Sequence, residues 1–524
     1  MRPAYTVPMS GSMTERAAPA DLVRDLTATS GDTADVIAPF TGELLHRLPL
    51  SSEQDVADAT AAARVAQASW WAAGEAHRRR VLLRAHDLLL ERREELLDLV
   101  QTETGKTRGQ AFEEVFNSAN SVRYNALSAR RVLRGGRRRG GIPFVFVPRV
   151  HHTPKGVVGV ITPWNYPLSL AVMDIAPALA AGNGVIQKAD DQGALSILAA
   201  RRAFIDAGLP AALWAVVAGK GSVIGNAVVD AADYICFTGS TATGRKVAER
   251  AAARLVGSSM ELGGKNASIV LDDVDPVRVA GDVAYACFSA AGQLCVSMER
   301  IYVLEGVADR FLPAFAARVS GLTLGTALDY STDVGSLATA QQLTNVLAHV
   351  DDARAKGATV LAGGRARPDI GPYFVEPTVL TGVTDDMACA RAETFGPVVA
   401  VTVVASEEEA VRLANDSDFG LNASVFSGSR SRARAVARRL AAGSINVNEG
   451  YRATFGSMDA PMGGVKQSGL GRRNGPEGLL RFAEAHTIAD NTGLLNLPST
   501  GPAWSKMIAP MLLLLRTLKA VRRR

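Results

Sequence analysis

The chain has 524 residues, 47% of them hydrophobic and 21% charged, with a formal net charge of +5. This balance suits two or three globular domains with large cores and excludes a disordered chain. Four cysteines without a CxxC pair and seven histidines without HxxxH or HExxH argue against a disulfide framework and a zinc site, so no metal is expected, and reduced thiols in a cytoplasmic setting fit.

In chain order, residues 1–34 lack periodicity and read as a flexible arm, with no apolar run of secretory-leader type. Asp35 to Leu50, with Pro39 and Gly42 between short apolar stretches, suits a hairpin. Ser52-Glu53 opens an alanine-rich helix that stops at Gly74. A second helix runs from about Glu75 to Gly105, and a third from about Gly109 toward Val132. Six arginines follow between Arg130 and Arg139. No aromatic residues interleave them as stacking on bases would want, so they read as a solvated connector and no nucleic-acid partner is expected. Pro143 to Pro148 reads as an apolar strand, placed at an edge or in an extended arm because proline donates nothing to a ladder.

From Gly156 the texture changes. Short apolar runs (Val157 to Ile161, Gly184 to Gln187, Leu213 to Val217, Tyr234 to Phe237, Ala267 to Leu271) alternate with helical stretches, which implies a parallel sheet covered on both faces and a ligand crevice at its carboxyl ends. Pro276 to Ala317 is mostly helical, with Cys295 in a break. Val334 to Val425 repeats the alternation as a second α/β domain. Pro461 to Gly469 reads as glycine-rich loop and Ala485 to Ile488 as a short last strand. The apolar run Met507 to Leu515, followed by a basic end, is too short to cross a bilayer; it either lies in a membrane interface or covers a groove on this chain or a partner.

A lone cysteine is more often a small buried hydrophobe than a nucleophile, so Cys295 has to be judged by its partners. Gly239-Ser240-Thr241-Ala242-Thr243-Gly244 follows a strand and opens a helix, so its backbone can approach a pyrophosphate. It is neither GxGxxG nor a P-loop, since Arg245-Lys246 follows. Pro163-Trp164-Asn165-Tyr166-Pro167, Phe237-Thr238-Gly239-Ser240, Glu261-Leu262-Gly263-Gly264-Lys265, Gly292-Gln293-Leu294-Cys295 and Glu393-Thr394-Phe395-Gly396-Pro397 resemble, in order and spacing, the motifs of the aldehyde dehydrogenase superfamily. The resemblance spans roughly residues 35 to 490. Within the family, Asn266 to Val270, Glu449 to Tyr451 and Gly471 to Leu480 look most like actinobacterial succinate-semialdehyde dehydrogenases.

The resemblance implies NAD(P)+-dependent oxidation of an aldehyde to a carboxylic acid through a cysteine thiohemiacetal and thioester. Cys295 would be the nucleophile, and Asn165 with the Cys295 backbone N–H would be the oxyanion donors; Asn165 could instead cap the following helix, but Pro163 and Pro167 bracketing it favour a held site. Glu261 would be the general base, with room to swing beside Gly263-Gly264. The cofactor would be held by Gly239, Ser240 and Gly244 at the pyrophosphate and by Lys188, Ala189, Asp190 and Asp191 near the adenine ribose. Glu393 and Phe395 would lie at the nicotinamide, with Trp164 and Leu262 completing the wall. Many relatives have proline at the Ala189 position. Asp191 favours NAD over NADP, with NADP left open. Tyr166, Met173, Val296, Phe455 and Met462 are candidates for the aldehyde tunnel and equally readable as core, and Arg452 is the one cation near its mouth. Succinic semialdehyde is the first substrate expectation, against a medium- or long-chain aliphatic or an aromatic aldehyde. A CoA-acylating relative usually lacks the base found at Glu261, and a non-catalytic protein on this fold would be expected to have lost Cys295 or Asn165.

The implied architecture is two α/β domains plus a small β arm. Residues 35–135 and 153–263 would bind the dinucleotide, 264–477 would carry the catalytic cysteine, 136–152 and 478–492 would join subunits into homodimers or homotetramers, and 493–524 would be an apolar and basic tail. A cytoplasmic location with membrane contact through residues 507–524 completes the expectation.

Overall fold

The structure is a computed structural model and describes residues 19–521. Its first described residues correct the expectation of a flexible arm up to residue 34. Short helical turns over Pro19–Leu22 and Val23–Asp25 dock on the core through Leu22 and Leu26, both buried. Residues 1–18 of that arm lie outside the described residues.

The hairpin pairs Thr33–Ile37 with Leu44–Pro49. The helix Glu53–Ala72 begins at a capping box in which Ser52 and Asp55 satisfy each other's backbone N–H groups. The second helix is two, Glu75–Glu91 and Arg93–Thr104, broken at Arg92 with φ −94° and ψ 16°. Apolar residues continue across the break, Leu88 and Leu89 on one side and Leu96 and Leu97 on the other, so no punctuation betrays it.

Five parallel strands and one short antiparallel one form the first sheet, in the order Gly469–Leu470, Gly257–Glu261, Tyr234–Thr238, Val157–Ile161, Gly184–Lys188, Trp214–Val217. Chain order reverses between Val157–Ile161 and Tyr234–Thr238, and a parallel sheet opens a crevice beyond the carboxyl ends of its strands at such a switch. The segments that leave these two strands are Pro163-Trp164-Asn165 and Gly239-Ser240.

The second sheet has seven strands: Thr359–Ala362, Thr378–Thr381, Val398–Val404, Met298–Leu304, Asn266–Val270, Asn422–Phe426, Ser444–Val447. The run Ala267 to Leu271, expected in the first alternation, belongs here. The Pro461 to Gly469 loop is also more ordered than expected. Val465–Lys466 pairs with Phe419–Gly420, and Gly469–Leu470 crosses back to join the first sheet.

The arm is a three-stranded antiparallel sheet, Ala483–Asn491, Phe146–Pro154, Gly136–Arg137. Its strands are longer than the expected Ala485 to Ile488 and shifted from the expected Pro143 to Pro148. Phe146–Pro154 is its middle strand, not an edge. Proline is tolerated there because the Pro148 carbonyl still accepts from the Arg138 N–H, 2.7 Å away, while Phe144 at φ 67° turns the chain before the strand starts. Past the arm, Gly501–Ala520 is one helix without a buried residue. No helix among the described residues is long and apolar enough to cross a membrane.

Candidate active site

The carboxyl ends of the first sheet face the amino ends of the second. Gly263-Gly264 runs into the strand Asn266–Val270, Cys295 stands just before Met298–Leu304, and Glu393 to Pro397 lead into Val398–Val404.

Three consecutive left-handed residues shape the cysteine loop: Ala290 (φ 51°), Ala291 (φ 52°) and Gly292 (φ 72°). Left-handed backbone is unfavourable for alanine, so the surrounding structure must hold it. It does so with side-chain amides. Asn266 Nδ2 donates to the carbonyls of Cys295 and Ser297, each at 2.7 Å, and Asn422 Nδ2 to that of Val296 at 2.8 Å. Gln293 accepts from the Ala338 N–H at 2.9 Å. A side chain at Gly292 would collide with the Gly396 carbonyl, which ties the cysteine loop to the Glu393 to Pro397 segment.

Cys295 is partly exposed at the edge of a cluster built from Tyr166, Leu170, Met173, Ala290, Leu294, Val296, Leu421, Tyr451, Phe455 and Met462. All five apolar or aromatic tunnel candidates thus gather in one place, together with Tyr451 and, partly buried, Tyr285. Arg452 stays outside the cluster. It pairs with Glu449 at 3.0 Å and lies 4.0 Å from the Tyr285 ring centre. Behind the tyrosines, the Tyr451 hydroxyl donates to Glu113 at 2.9 Å, and the Tyr285 hydroxyl donates to the same carboxylate.

Asn165 does not cap the helix Pro167–Ala180; in its first turn the Ser169 N–H donates to the buried Glu114 carboxylate at 3.0 Å. Asn165 Nδ2 donates instead to the Gln293 carbonyl at 2.9 Å, bridging the loop after Ile161 to the loop before Met298. An amide nitrogen carries a second hydrogen.

Glu261 ends the strand Gly257–Glu261 and is buried, and its Oε1 has no hydrogen-bond partner. Burial pushes its carboxyl up to about 7, against the pull of the Arg473 and Arg481 guanidiniums. Gly263 and Gly264 permit close approach: a Cβ on Gly263 would strike the Glu393 carboxylate, and one on Gly264 would lie 2.8 Å from the Cys295 carbonyl. Open backbone faces Glu261 at Gly463, whose Cβ would sit 2.9 Å from Oε1. Burial, with the Glu261 and Glu393 carboxylates adding to it, pushes the Cys295 thiol up to about 12.

On the cofactor side, Gly244 lies against Leu262, where any side chain would collide. Ser240 caps the helix Thr241–Ala253 by accepting from the Thr243 N–H at 3.3 Å. Glu393 accepts from the Gly264 N–H at 2.7 Å, and burial beside Glu299 raises its carboxyl to about 8. Glu299 in turn accepts from the Thr394 and Phe395 N–H groups, at 2.9 and 3.0 Å, and Trp164 meets the Phe395 ring edge-on at 5.6 Å. Lys188 and Ala189 close the strand Gly184–Lys188, and Asp190 accepts from the Gln192 N–H at 3.2 Å. Asp191 Oδ1 is buried without a partner. An orphaned acceptor there fits a ligand with hydroxyl donors, and the helix N-terminus that follows Gly239-Ser240 suits a phosphate bridge.

Sequence reading missed Glu113, Tyr285, Tyr451, Asn266, Asn422, Asp174, Arg473 and Arg481. A signal existed for one of them: Asp174 is the single charge in the otherwise apolar stretch Leu168 to Ala181. A buried charge without a partner is costly, so such a residue announces a partner elsewhere in the chain.

The family model described as "Aldehyde dehydrogenase family" matches residues 26–488. A Mycolicibacterium smegmatis protein named "Putative succinate-semialdehyde dehydrogenase (NADP(+))" is 48% identical over 494 residues, covering 94% of this chain and 95% of that protein. The mitochondrial succinate-semialdehyde dehydrogenase of Oryza sativa is 38% identical, covering 88% and 87%. The crystal structure of betaine aldehyde dehydrogenase from Staphylococcus aureus, in complex with NAD+, superposes with a TM-score of 0.86 at 31% identity, covering 92% of this chain and 98% of that one.

Proposed function

The chain belongs to the aldehyde dehydrogenase family and is an NAD(P)-dependent enzyme of aldehyde oxidation, and on that premise we propose that it converts succinic semialdehyde to succinate through Cys295. The 48% identity over nearly the whole chain to a relative bearing that substrate's name carries the choice.

In this reading the Cys295 sulfur adds to the aldehyde carbon, and the resulting oxyanion takes hydrogen bonds from Asn165 Nδ2 and the Cys295 N–H. With its thiol raised to about 12, Cys295 needs a base to become a nucleophile, and Glu261 near 7, one of two carboxylates whose charge Cys295 feels, is suited to accept a proton at neutral pH. The dinucleotide, when bound, supplies hydride acceptance. Cys295 is then left carrying the acyl group as a thioester. Once Glu261 has passed the thiol proton to solvent, it takes a proton from water as the water attacks the thioester. That proton goes to the departing sulfur, releasing the acid and restoring the thiol. The residues proposed to hold the cofactor are Gly239, Ser240 and Gly244 at the pyrophosphate, Lys188 to Asp191 at the adenine ribose, and Trp164, Leu262, Glu393 and Phe395 around the nicotinamide. The first sheet, with residues 35–135 and 153–263, would serve as the dinucleotide-binding unit, and residues 264–477 as the catalytic one.

Arg452 is the proposed anchor for the distal carboxylate. A second reading has its own support: the cluster beside Cys295 is apolar and aromatic, Glu113 stands behind it, and Arg452 is already engaged by Glu449, all of which suit an uncharged aliphatic or aromatic aldehyde. Specific activities with succinic semialdehyde, octanal and benzaldehyde, each with NAD and NADP, separate the two. Arg452→Ala is expected to cut kcat/KM for succinic semialdehyde by about tenfold or more while sparing the neutral aldehydes. Wild-type preference for octanal or benzaldehyde would establish the second reading. Asp191 supports NAD and the relative's name supports NADP, so the same assay reads that preference.

The long outer strand Ala483–Asn491 supports assembly of the arm into homodimers or homotetramers, and four free cysteines support a reducing, cytoplasmic compartment. Membrane contact through the tail is supported by its chemistry. The helix Gly501–Ala520 exposes Ile508, Leu512, Leu513 and Leu515, and beyond Asp490 the chain has six basic residues and no acidic one. Apolar side chains with clustered cations suit an anionic bilayer surface. The full chain is expected to sediment with phosphatidylglycerol vesicles and much less with phosphatidylcholine vesicles, and a chain ending at residue 492 with neither. Absence of binding to both, with loss of the larger oligomer on truncation, would place the tail on a second copy instead.

A further inference from the structure

Two guanidiniums and two carboxylates share one buried space at the end of the first sheet. Arg473, 2% exposed, forks onto Asp174 with Nε to Oδ1 at 3.0 Å and Nη2 to Oδ2 at 2.7 Å, and Nη2 also reaches Thr238 Oγ1 at 2.9 Å. Arg481 donates to the same Asp174 carboxylate and to Ser259 Oγ at 2.8 Å. Thr238 is the ladder partner of Glu261, and Ser259 lies two residues before it on the same strand. The Arg473 backbone is tied to Met462 by two hydrogen bonds, which fixes the neighbouring Gly463 against Glu261 Oε1.

Asp174 balances only one of the two guanidiniums. Burying an uncompensated cation is expensive, and Glu261 is the carboxylate available to balance it. We propose that Arg473 and Arg481 are positioning residues that hold Glu261 in its charged, base form: the buried quartet is neutral only when Glu261 is ionised. Other groups around it do not supply that charge. Arg472, on the same loop as Arg473, adds to the positive field, while Cys295 faces Glu261 as a protonated thiol. Tyr234 and Cys236, beside Arg481, are both pushed up to about 12 by burial and stay neutral. Asp174 keeps its charge because the two guanidiniums outweigh its burial.

This rests on Glu261 as the base that hydrolyses the thioester, and its test separates the two claims. The measurement is the pH dependence of kcat together with the initial burst of NAD(P)H. Removing a guanidinium leaves the site neutral with Glu261 protonated, so Arg473→Gln should move the acid limb of kcat up by about one to two pH units. Arg473→Lys keeps the charge and should leave the limb near its wild-type position. Asp174→Asn leaves an excess cation and should move it down. A structural role has no reason to shift the limb in opposite directions. Should Arg473→Gln not fold, Arg481→Gln carries the same expected sign. An unmoved limb in these variants, with Glu261→Gln still impaired, overturns the proposal alone; full turnover by Glu261→Gln overturns the base assignment and the proposal together.

Discussion

Replacing Cys295 with alanine is expected to abolish aldehyde-dependent reduction of NAD(P)+, lowering kcat/KM by about four orders of magnitude or more. The size follows from the role. Without a thiolate no covalent intermediate forms, and direct oxidation would require a hydride to leave from a hydrated aldehyde that the site is not built to hold. No other cysteine can take over: Cys236, Cys287 and Cys389 are all buried, and Cys236 lies in the interior of the first sheet. Folding should survive, because Cys295 is held through its backbone carbonyl by Asn266 and its side chain is partly exposed. Thermal melting within a few degrees of wild type, with activity gone, is the expected pair of results. Activity undiminished in Cys295→Ala would remove the covalent mechanism.

Glu261→Gln tests both halves of the reaction. General-base catalysis is worth about 10²- to 10⁴-fold, so steady-state turnover should fall by that range. Because Glu261 is also proposed to take the thiol proton, the burst of NAD(P)H should slow as well; a full burst at the wild-type rate ahead of a slow phase would confine Glu261 to hydrolysis and give the thiol proton to another group. Wild-type turnover would remove Glu261 from the mechanism. In the native enzyme the base works as carboxylate. Its carboxyl stands near 7, so hydrolysis should be sustained above that pH and fall away as the pH drops through it. A kcat acid limb near 7 in wild type that disappears in Glu261→Gln is the matching observation.

Legibility in the sequence followed the range of the interaction. Four strands of the first sheet could be read because apolar runs such as Val157 to Ile161 are bounded by loops and separated by helical periodicity, which are local properties. Gly257–Glu261 and Gly469–Leu470 could not, since Gly257-Ser258-Ser259 and a two-residue strand carry no apolar run. The break at Arg92 could not be read, since apolar spacing persists through it. Nor could the middle position of Phe146–Pro154 in the arm, which depends on partners on both sides, one of them more than three hundred residues later. In the site, Gly292-Gln293-Leu294-Cys295 and Pro163-Trp164-Asn165 were visible as motifs. The hydrogen bond that joins them, from Asn165 to the Gln293 carbonyl, was not, and it replaces the helix cap that adjacency to Pro167 suggested.

What the sequence determined alone was the class of fold, the five motifs and the residue types able to form, stabilise and hydrolyse a thioester, because those reside in local pattern and side-chain chemistry. The tertiary structure decided which of those groups meet and in what electrostatic state. It set Gly263-Gly264 against Glu393 and Cys295, gathered the tunnel candidates around Tyr451, and enclosed Glu261 with Arg473, Arg481 and Asp174. A carboxylate's working charge depends on the water it loses and the charges it faces, and both are set only when distant segments of the chain pack together.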